Sequence, residues 1–385
     1  MLNFRRITTQ KRFIPQIDGL RFVAIASVVF FHIYAVLEDR CAIHAPIPLN
    51  IDLPKRGVEL FFAISGFILG VPFASHYILN APKVKLKQYF LRRLTRLEPP
   101  YFLAFAVWMA AQWISSRRPI GVMLPHLLAQ MAYAHNFIYG AFAGPVNGVA
   151  WSLEVEVQFY TLVPILSLVF AIADARLRRS VILIAMAVIG YLSIPLYRTV
   201  HFHYFIGYYL AFFLAGFLVC DLYVTRGEWK RSFAWDALAL CLWPVVWYPS
   251  RHFLHVILPF VIVVLYLAAF RGRICSAIFS YPLITNIGGM CYSIYLLHFP
   301  AVYLVKRYTG YWHIGSNFWG FFALQACFMW LFVLLSCGTY FLLIERPCMD
   351  RDWPKKLWML IRELTPSTRS APAPERAPNP SSPPV

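Results

Sequence analysis

Residues 17–36 read IDGLRFVAIASVVFFHIYAV. At 1.5 Å per residue such a stretch makes a helix of about 30 Å, the thickness of a bilayer's hydrocarbon core. It carries only three ionisable groups, Asp18, Arg21 and His32. A basic lead with Arg5, Arg6, Lys11 and Arg12 precedes it, and no small-residue cleavage pattern follows near Glu38. The run therefore reads as a first membrane span rather than a removable signal peptide. Nine further stretches qualify or nearly do: 57–79, 100–115, 149–172, 181–197, 204–224, 234–248, 253–270, 283–305 and 318–344. The expected fold is all-α, a polytopic membrane bundle of about ten transmembrane helices, with the third and seventh the shortest.

Composition agrees along the whole chain. Of 385 residues, 60% are hydrophobic and 14% charged, against about 25% charged in an ordinary soluble domain. Disorder, a coiled coil and a small disulfide scaffold are excluded. The eight Cys show no C-x-x-C spacing, and Cys220, Cys291 and Cys337 fall within apolar stretches, so neither a disulfide framework nor a zinc site is indicated. A net charge of +18 would suggest nucleic acid in a soluble chain, but here it sorts by loop. Placing the N-terminus inside assigns 25 Lys and Arg to inner segments and nine to outer ones, with Arg21 inside a span. That asymmetry predicts an N-in, C-in topology and removes nucleic acid as the obvious partner. Residues 1–16 then form a basic cytoplasmic N-terminus, 17–348 the membrane domain, and 349–385 a cytoplasmic tail. Seven Pro lie beyond Thr365, a composition that predicts disorder from about there.

Charged side chains within spans are costly and normally face the protein interior or a wet cavity, so the few present form the functional shortlist. Arg21 and His32 are eleven residues apart, which places them on one helical face about 16.5 Å apart along the axis. Histidine is suited to moving protons near neutral pH; the plainer reading is that His32 bonds a neighbouring helix while Arg21 reaches the headgroups. In the second span, Ser65-Gly66 fits either close helix packing or a hydroxyl in a cavity. The inner loop with Lys83, Lys85, Lys87, Arg92, Arg93 and Arg96 is either a topology signal or a site for the phosphates of a cytosolic donor, which guanidinium forks match. Glu154 and Glu156 open the fourth span behind Trp151 and point about 200° apart on a helix, so they are no catalytic pair. One can face a cavity and the other the interface. Tyr292, Ser293, Tyr295 and His298 mark the ninth span; His298 is either a polar wall residue or a structural histidine. The last span ends in Glu345-Arg346-Pro347.

Taken together these segments resemble the acyltransferase 3 family of integral-membrane acyltransferases. The resemblance rests on IDGLR with His32 completing R-x10-H, GVELFFAISGF, RRLTRLEPPY, WSLEVEVQFY, YSIYLLHFP and the final ERP, in order from about residue 14 to 348. It implies transfer of an acyl group, often acetyl, from cytosolic acyl-CoA to a hydroxyl of a carbohydrate or lipid-linked acceptor. By the same resemblance Arg21 and His32 are paired functional residues, Arg93 and Arg96 are the R-x-x-R of the inner loop, and Glu156 is the glutamate of the W-S-L-x-V-E motif. Phe22 stands where the family more often has a small residue, and Glu98 where an aromatic is common. No soluble esterase-like extension, carried by some relatives, is evident.

The resulting expectation is a multi-pass O-acyltransferase of the cell's inner membrane that uses acyl-CoA, with acetyl-CoA the first donor to test, and needs no metal. His32, Arg21 and Glu156 would be catalytic and Arg93 and Arg96 would hold the donor. Ser65, Trp151, Tyr292 and His298 would line the substrate cavity. His32 would act as general base on the acceptor or carry the acyl group as nucleophile, and Glu156 would orient the imidazole or the acceptor. Membrane lipid and a glycan (lipopolysaccharide O-antigen, exopolysaccharide, peptidoglycan or a secreted glycoside) are the expected partners, and a homo-oligomer is left open. The competing reading is a proton-coupled transporter or flippase for a lipid-linked saccharide, with Arg21, His32 and Glu156 as a relay.

Overall fold

Helix α1 (Pro15–Glu38) begins on a proline, whose missing N–H costs nothing at a first helical position. It is apolar on two sides. Ile17, Leu20, Ala24 and Val28 belong to one core cluster, while Ile25, Val29, Ile33 and Leu37 belong to another. Each stripe repeats at three- and four-residue spacing, so α1 stands between two packed bodies instead of on the rim of one. A computed structural model describes residues 6, 13–38, 53–116, 119–140, 148–196, 204–227, 229–248, 252–310, 312, 318–350 and 352–364. The segment from 365, expected to be disordered, lies outside the described residues.

Along the chain follow α2 (Leu53–Leu79), α3 (Leu86–Ser116), α4 (Ile120–Met131), α5 (His135–Ile138), α6 (Trp151–Leu166), α7 (Ala175–Leu196) and α8 (Ile206–Val224). Then come α9 (Phe233–Trp247), α10 (His252–Arg271), α11 (Arg273–Phe279), α12 (Pro282–Gly289), α13 (Cys291–Thr309) and α14 (Phe318–Tyr340). A π turn over Phe341–Glu345 leads into α15 (Arg346–Cys348), and α16 (Trp353–Leu364) closes the series. No strand occurs among the described residues. Helices suit lipid because they satisfy their own backbone polar groups.

Apolar burial alone cannot bind helices in a medium as apolar as their side chains, so small residues and polar staples carry the association. Gly66 on α2 and Gly216 on α8 face each other so closely that a Cβ on Gly66 would run into the Phe213 carbonyl, and one on Gly216 into the Ala63 carbonyl. Gly288 likewise admits the Asp18 carbonyl, seating the start of α1 against α12. Asp221 of α8, fully enclosed, takes Arg178 and Arg179 of α7, the latter at 2.6 Å. Leucines and isoleucines such as Ile184, Leu192, Leu331 and Leu335 remain exposed on α7 and α14, as lipid-facing positions should.

Seven helical segments among the described residues are long and apolar enough to cross a membrane: α1, α2, Gly148–Ala171, α7, α8, α10 and Phe318–Cys348. The pair α12 and α13, bent by 72°, makes an eighth if taken as one span. This is fewer than the ten expected, and the shortfall lies at the third and seventh. The N-terminal part of α3 carries Lys87, Arg92, Arg93, Arg96 and Glu98, while α9 has 15 residues, about 22 Å of helix.

Candidate active site

A cavity of about 840 Å³, its open mouth included, lies between the two bodies that α1 separates. Arg21, Ser65, Arg93, Arg96, Glu156 and Tyr292 all line it. Residues from five stretches of chain thus converge on one space. Trp151, His32 and His298 do not line it. Trp151 packs against Tyr204 and Tyr209 at ring separations of 5.1 and 5.5 Å, and the two histidines sit together elsewhere.

Arginines supply the positive charge of an otherwise largely apolar cavity wall. Arg6 joins Arg21, Arg93 and Arg96, against the carboxylates Glu156 and Glu345. Asp18 holds Arg21 through a salt bridge one turn away and lies 3.5 Å from Arg6; its pairing anchors the guanidinium at the beginning of α1. The Arg93 guanidinium stands over the Tyr160 ring at 5.5 Å and near the Tyr89 ring at 5.9 Å, which fixes its plane by cation–π attraction. A surplus of fixed positive charge in a partly dry recess suits a polyanion.

Glu156 accepts a hydrogen bond from Ser65 Oγ at 2.5 Å, and Tyr160, one turn along the same helix, lines the cavity beside it. Ser65 and Gly66 therefore serve both readings of that dipeptide, the hydroxyl in the cavity and the glycine in the helix contact. Glu154 points away, as its 200° offset requires, and its Oε2 accepts from the Asn136 backbone N–H at 2.8 Å, where it tethers α5 to α6. On the far wall Glu345, at the end of the π turn, accepts from the Ser293 N–H at 3.0 Å and from the Ser293 hydroxyl. The π turn widens the helix by one residue per turn, a distortion that often accompanies functional sites, and here it carries Glu345 inward.

The arginine-bearing wall is built around a diproline. Pro99 offers no N–H, so the Thr95 carbonyl loses its usual donor within α3. Trp353 Nε1 of α16 donates to that carbonyl at 2.9 Å. Tyr292 of α13 donates to the Leu97 carbonyl at 3.0 Å, and Tyr340 of α14 to the Pro100 carbonyl. Three distant helices thereby hold the segment that presents Arg93 and Arg96.

The inner limit of the cavity includes Ser152 and Tyr295. Their hydroxyls lie 2.8 Å apart, and the Tyr295 hydroxyl also donates to the Val149 carbonyl. Behind Tyr295, at a ring separation of 6.3 Å, is His298, whose Nε2 lies 3.1 Å from His32 Nδ1. His298 is fully enclosed, whereas His32 is partly exposed between the rings of Phe31 and Phe299. The ring that meets His32 is thus His298, while Glu156 is engaged by Ser65. Arg6, Asp18, Ser152, Tyr160, Cys291, Tyr295 and Glu345 are site residues that the sequence reading does not assign, although all but Arg6 and Cys291 stand inside the quoted motifs IDGLR, WSLEVEVQFY, YSIYLLHFP and ERP.

Residues 14–341 match the acyltransferase 3 family model, which describes an acyltransferase domain. The chain belongs to the acyltransferase 3 family. Among curated proteins it is similar to the O-acetyltransferase OatA of Staphylococcus aureus, at 27% identity over 199 residues, 50% of this chain and 30% of that protein. It is also similar to the peptidoglycan O-acetyltransferase OatA of Listeria monocytogenes, at 27% over 173 residues, 42% of this chain and 25% of that protein. The match therefore spans less than a third of either relative. No solved structure gives a significant match. Family membership and the helices long and apolar enough to cross a membrane make this chain a multi-pass membrane protein.

Proposed function

We propose that the protein transfers an acetyl group from cytosolic acetyl-CoA to a hydroxyl of a cell-surface glycan or its lipid-linked precursor, within a cell inner membrane. The observation that carries this reading is the four-arginine cavity ending at Tyr295, with the His32–His298 pair directly behind it. In this reading α3 and α9 complete ten crossings, both termini are cytoplasmic, and the cavity mouth faces the cytosol. Arg93 and Arg96 grip the phosphates of CoA, and the pantetheine arm runs inward past Arg21. The relatives' printed names, an O-acetyltransferase and a peptidoglycan O-acetyltransferase, support a glycan hydroxyl as acceptor.

His32 takes the proton from the acceptor hydroxyl as its oxygen attacks the thioester carbonyl; the C–S bond breaks, and the departing CoA thiolate receives that proton. Alternatively His32 attacks first and the hydroxyl then displaces the acyl group from the imidazole. Arg21 anchors the donor or stabilises negative charge developing on the carbonyl oxygen.

The test is thiol release from acetyl-CoA and acetyl transfer to a glycan by purified protein in lipid. Wild-type turnover with losses of roughly 10²- to 10⁴-fold for His32→Ala, and a marked loss for Arg21→Ala, is the expected result. Undiminished transfer by both variants, when correctly inserted, sinks the site assignment. A transporter or flippase would bind substrate without releasing any thiol.

A further inference from the structure

Resting on the acyl-transfer reading, we infer that His298 is a positioning residue that fixes the tautomer of His32, leaving His32 Nε2 as the nitrogen that takes the proton or the acyl group. The inference follows from counting donors and acceptors around two rings. His298 Nδ1 lies 2.8 Å from the Ile294 carbonyl and 2.9 Å from the Tyr295 carbonyl. Both are obligate acceptors, so Nδ1 carries the proton. In the neutral ring Nε2 then bears the lone pair and must accept. The atom it faces at 3.1 Å is His32 Nδ1, which must therefore donate. His298 Nε2 thus holds the proton on His32 Nδ1, and the His32 lone pair falls on Nε2.

Burial divides the labour in the same sense. His298 is fully enclosed, whereas His32 is half-buried, so of the two rings it is His32 that is the better placed to meet a substrate. When His32 Nε2 gains a proton, its Nδ1–H bond to His298 becomes charge-assisted and strengthens. The enclosed ring thereby supports the cation formed during the reaction, the part played by an orienting third group in other nucleophile–base pairs. The sequence offers no hint of this, because the two residues are 266 positions apart.

Two substitutions separate the role from mere packing. His298→Gln places a carbonyl oxygen where Nε2 stood, so it still accepts from His32; His298→Leu fills similar space without an acceptor. We expect His298→Leu to lower kcat on the order of 10²-fold with the KM for acetyl-CoA nearly unchanged, and His298→Gln to restore at least a tenth of the wild-type kcat. In ¹⁵N-histidine spectra of the full-length protein in lipid, His32 should show a protonated Nδ1 and a bare Nε2, shifting to mixed tautomers in His298→Leu. Wild-type kcat in His298→Leu, equal losses in both variants, or a protonated Nε2 in neutral His32 would each overturn the inference. Absence of thiol release from wild-type protein would instead overturn the acyl-transfer reading, while the spectra would still report the tautomer.

Discussion

Arg93 and Arg96 stand one turn apart on α3, yet their surroundings differ from an exposed basic loop. Arg93 is stacked over tyrosine rings, and both line the same recess as Arg21 and Glu156. A hydrogen bond to a charged group contributes about 1.5–3 kcal/mol, roughly a factor of 10 to 100 in affinity. Arg93→Ala with Arg96→Ala should therefore weaken CoA binding by at least that factor in calorimetric titration, and an unchanged dissociation constant would remove the phosphate role. At this scale the residue types and their motifs were legible from the chain: Arg21, Ser65, Arg93, Arg96, Glu156 and Tyr292 do converge. What one dimension hides is who meets whom. The motifs pair Arg21 with His32, but the side chain at Arg21 is Asp18, one turn away on the same helix, and the ring at His32 is His298, a contact set by helix packing across 266 residues.

Among the helices, α2 and α8 meet backbone to backbone at Gly66 and Gly216. Gly216→Leu should force the helices apart and destabilise the protein by about 1–3 kcal/mol or more, lowering the thermal midpoint in detergent; an unchanged midpoint would show that the contact is looser than described. Trp353→Phe removes the donor to the Thr95 carbonyl while keeping an aromatic ring. A net hydrogen bond is worth about 1 kcal/mol, so the KM for acetyl-CoA should rise a few-fold with kcat at saturation little changed. Hydrophobic run length located the long helices well, because spans such as α8 and α10 keep their ionisable groups, Asp221 in one and His252, His255 and Arg271 in the other, toward their ends. It decides least at α3 and α9, where the charged start of one and the brevity of the other leave neither long and apolar enough by itself. The 72° bend between α12 and α13 is equally invisible to hydropathy, which does not register direction.

For the whole molecule, orientation and access can be read together through its thiols. Cys291 lines the cavity, whereas Cys241 and Cys327 are exposed. Maleimide labelling followed by peptide mass spectrometry should find Cys291 protected by CoA, with Cys241 and Cys327 indifferent to it; protection at none of the three would argue that CoA binds elsewhere. The residues that complete the arginine-bearing wall also carry a consequence for how the protein is made. Tyr292, Tyr340 and Trp353 reach carbonyls of α3 that lie 195, 240 and 258 residues earlier in the chain. During synthesis the diproline segment leaves the ribosome long before its three outside donors exist. The arginine-lined cavity is consequently among the last parts to mature, and a nascent chain that has not yet made α16 lacks the donor that the Thr95 carbonyl takes in the finished protein.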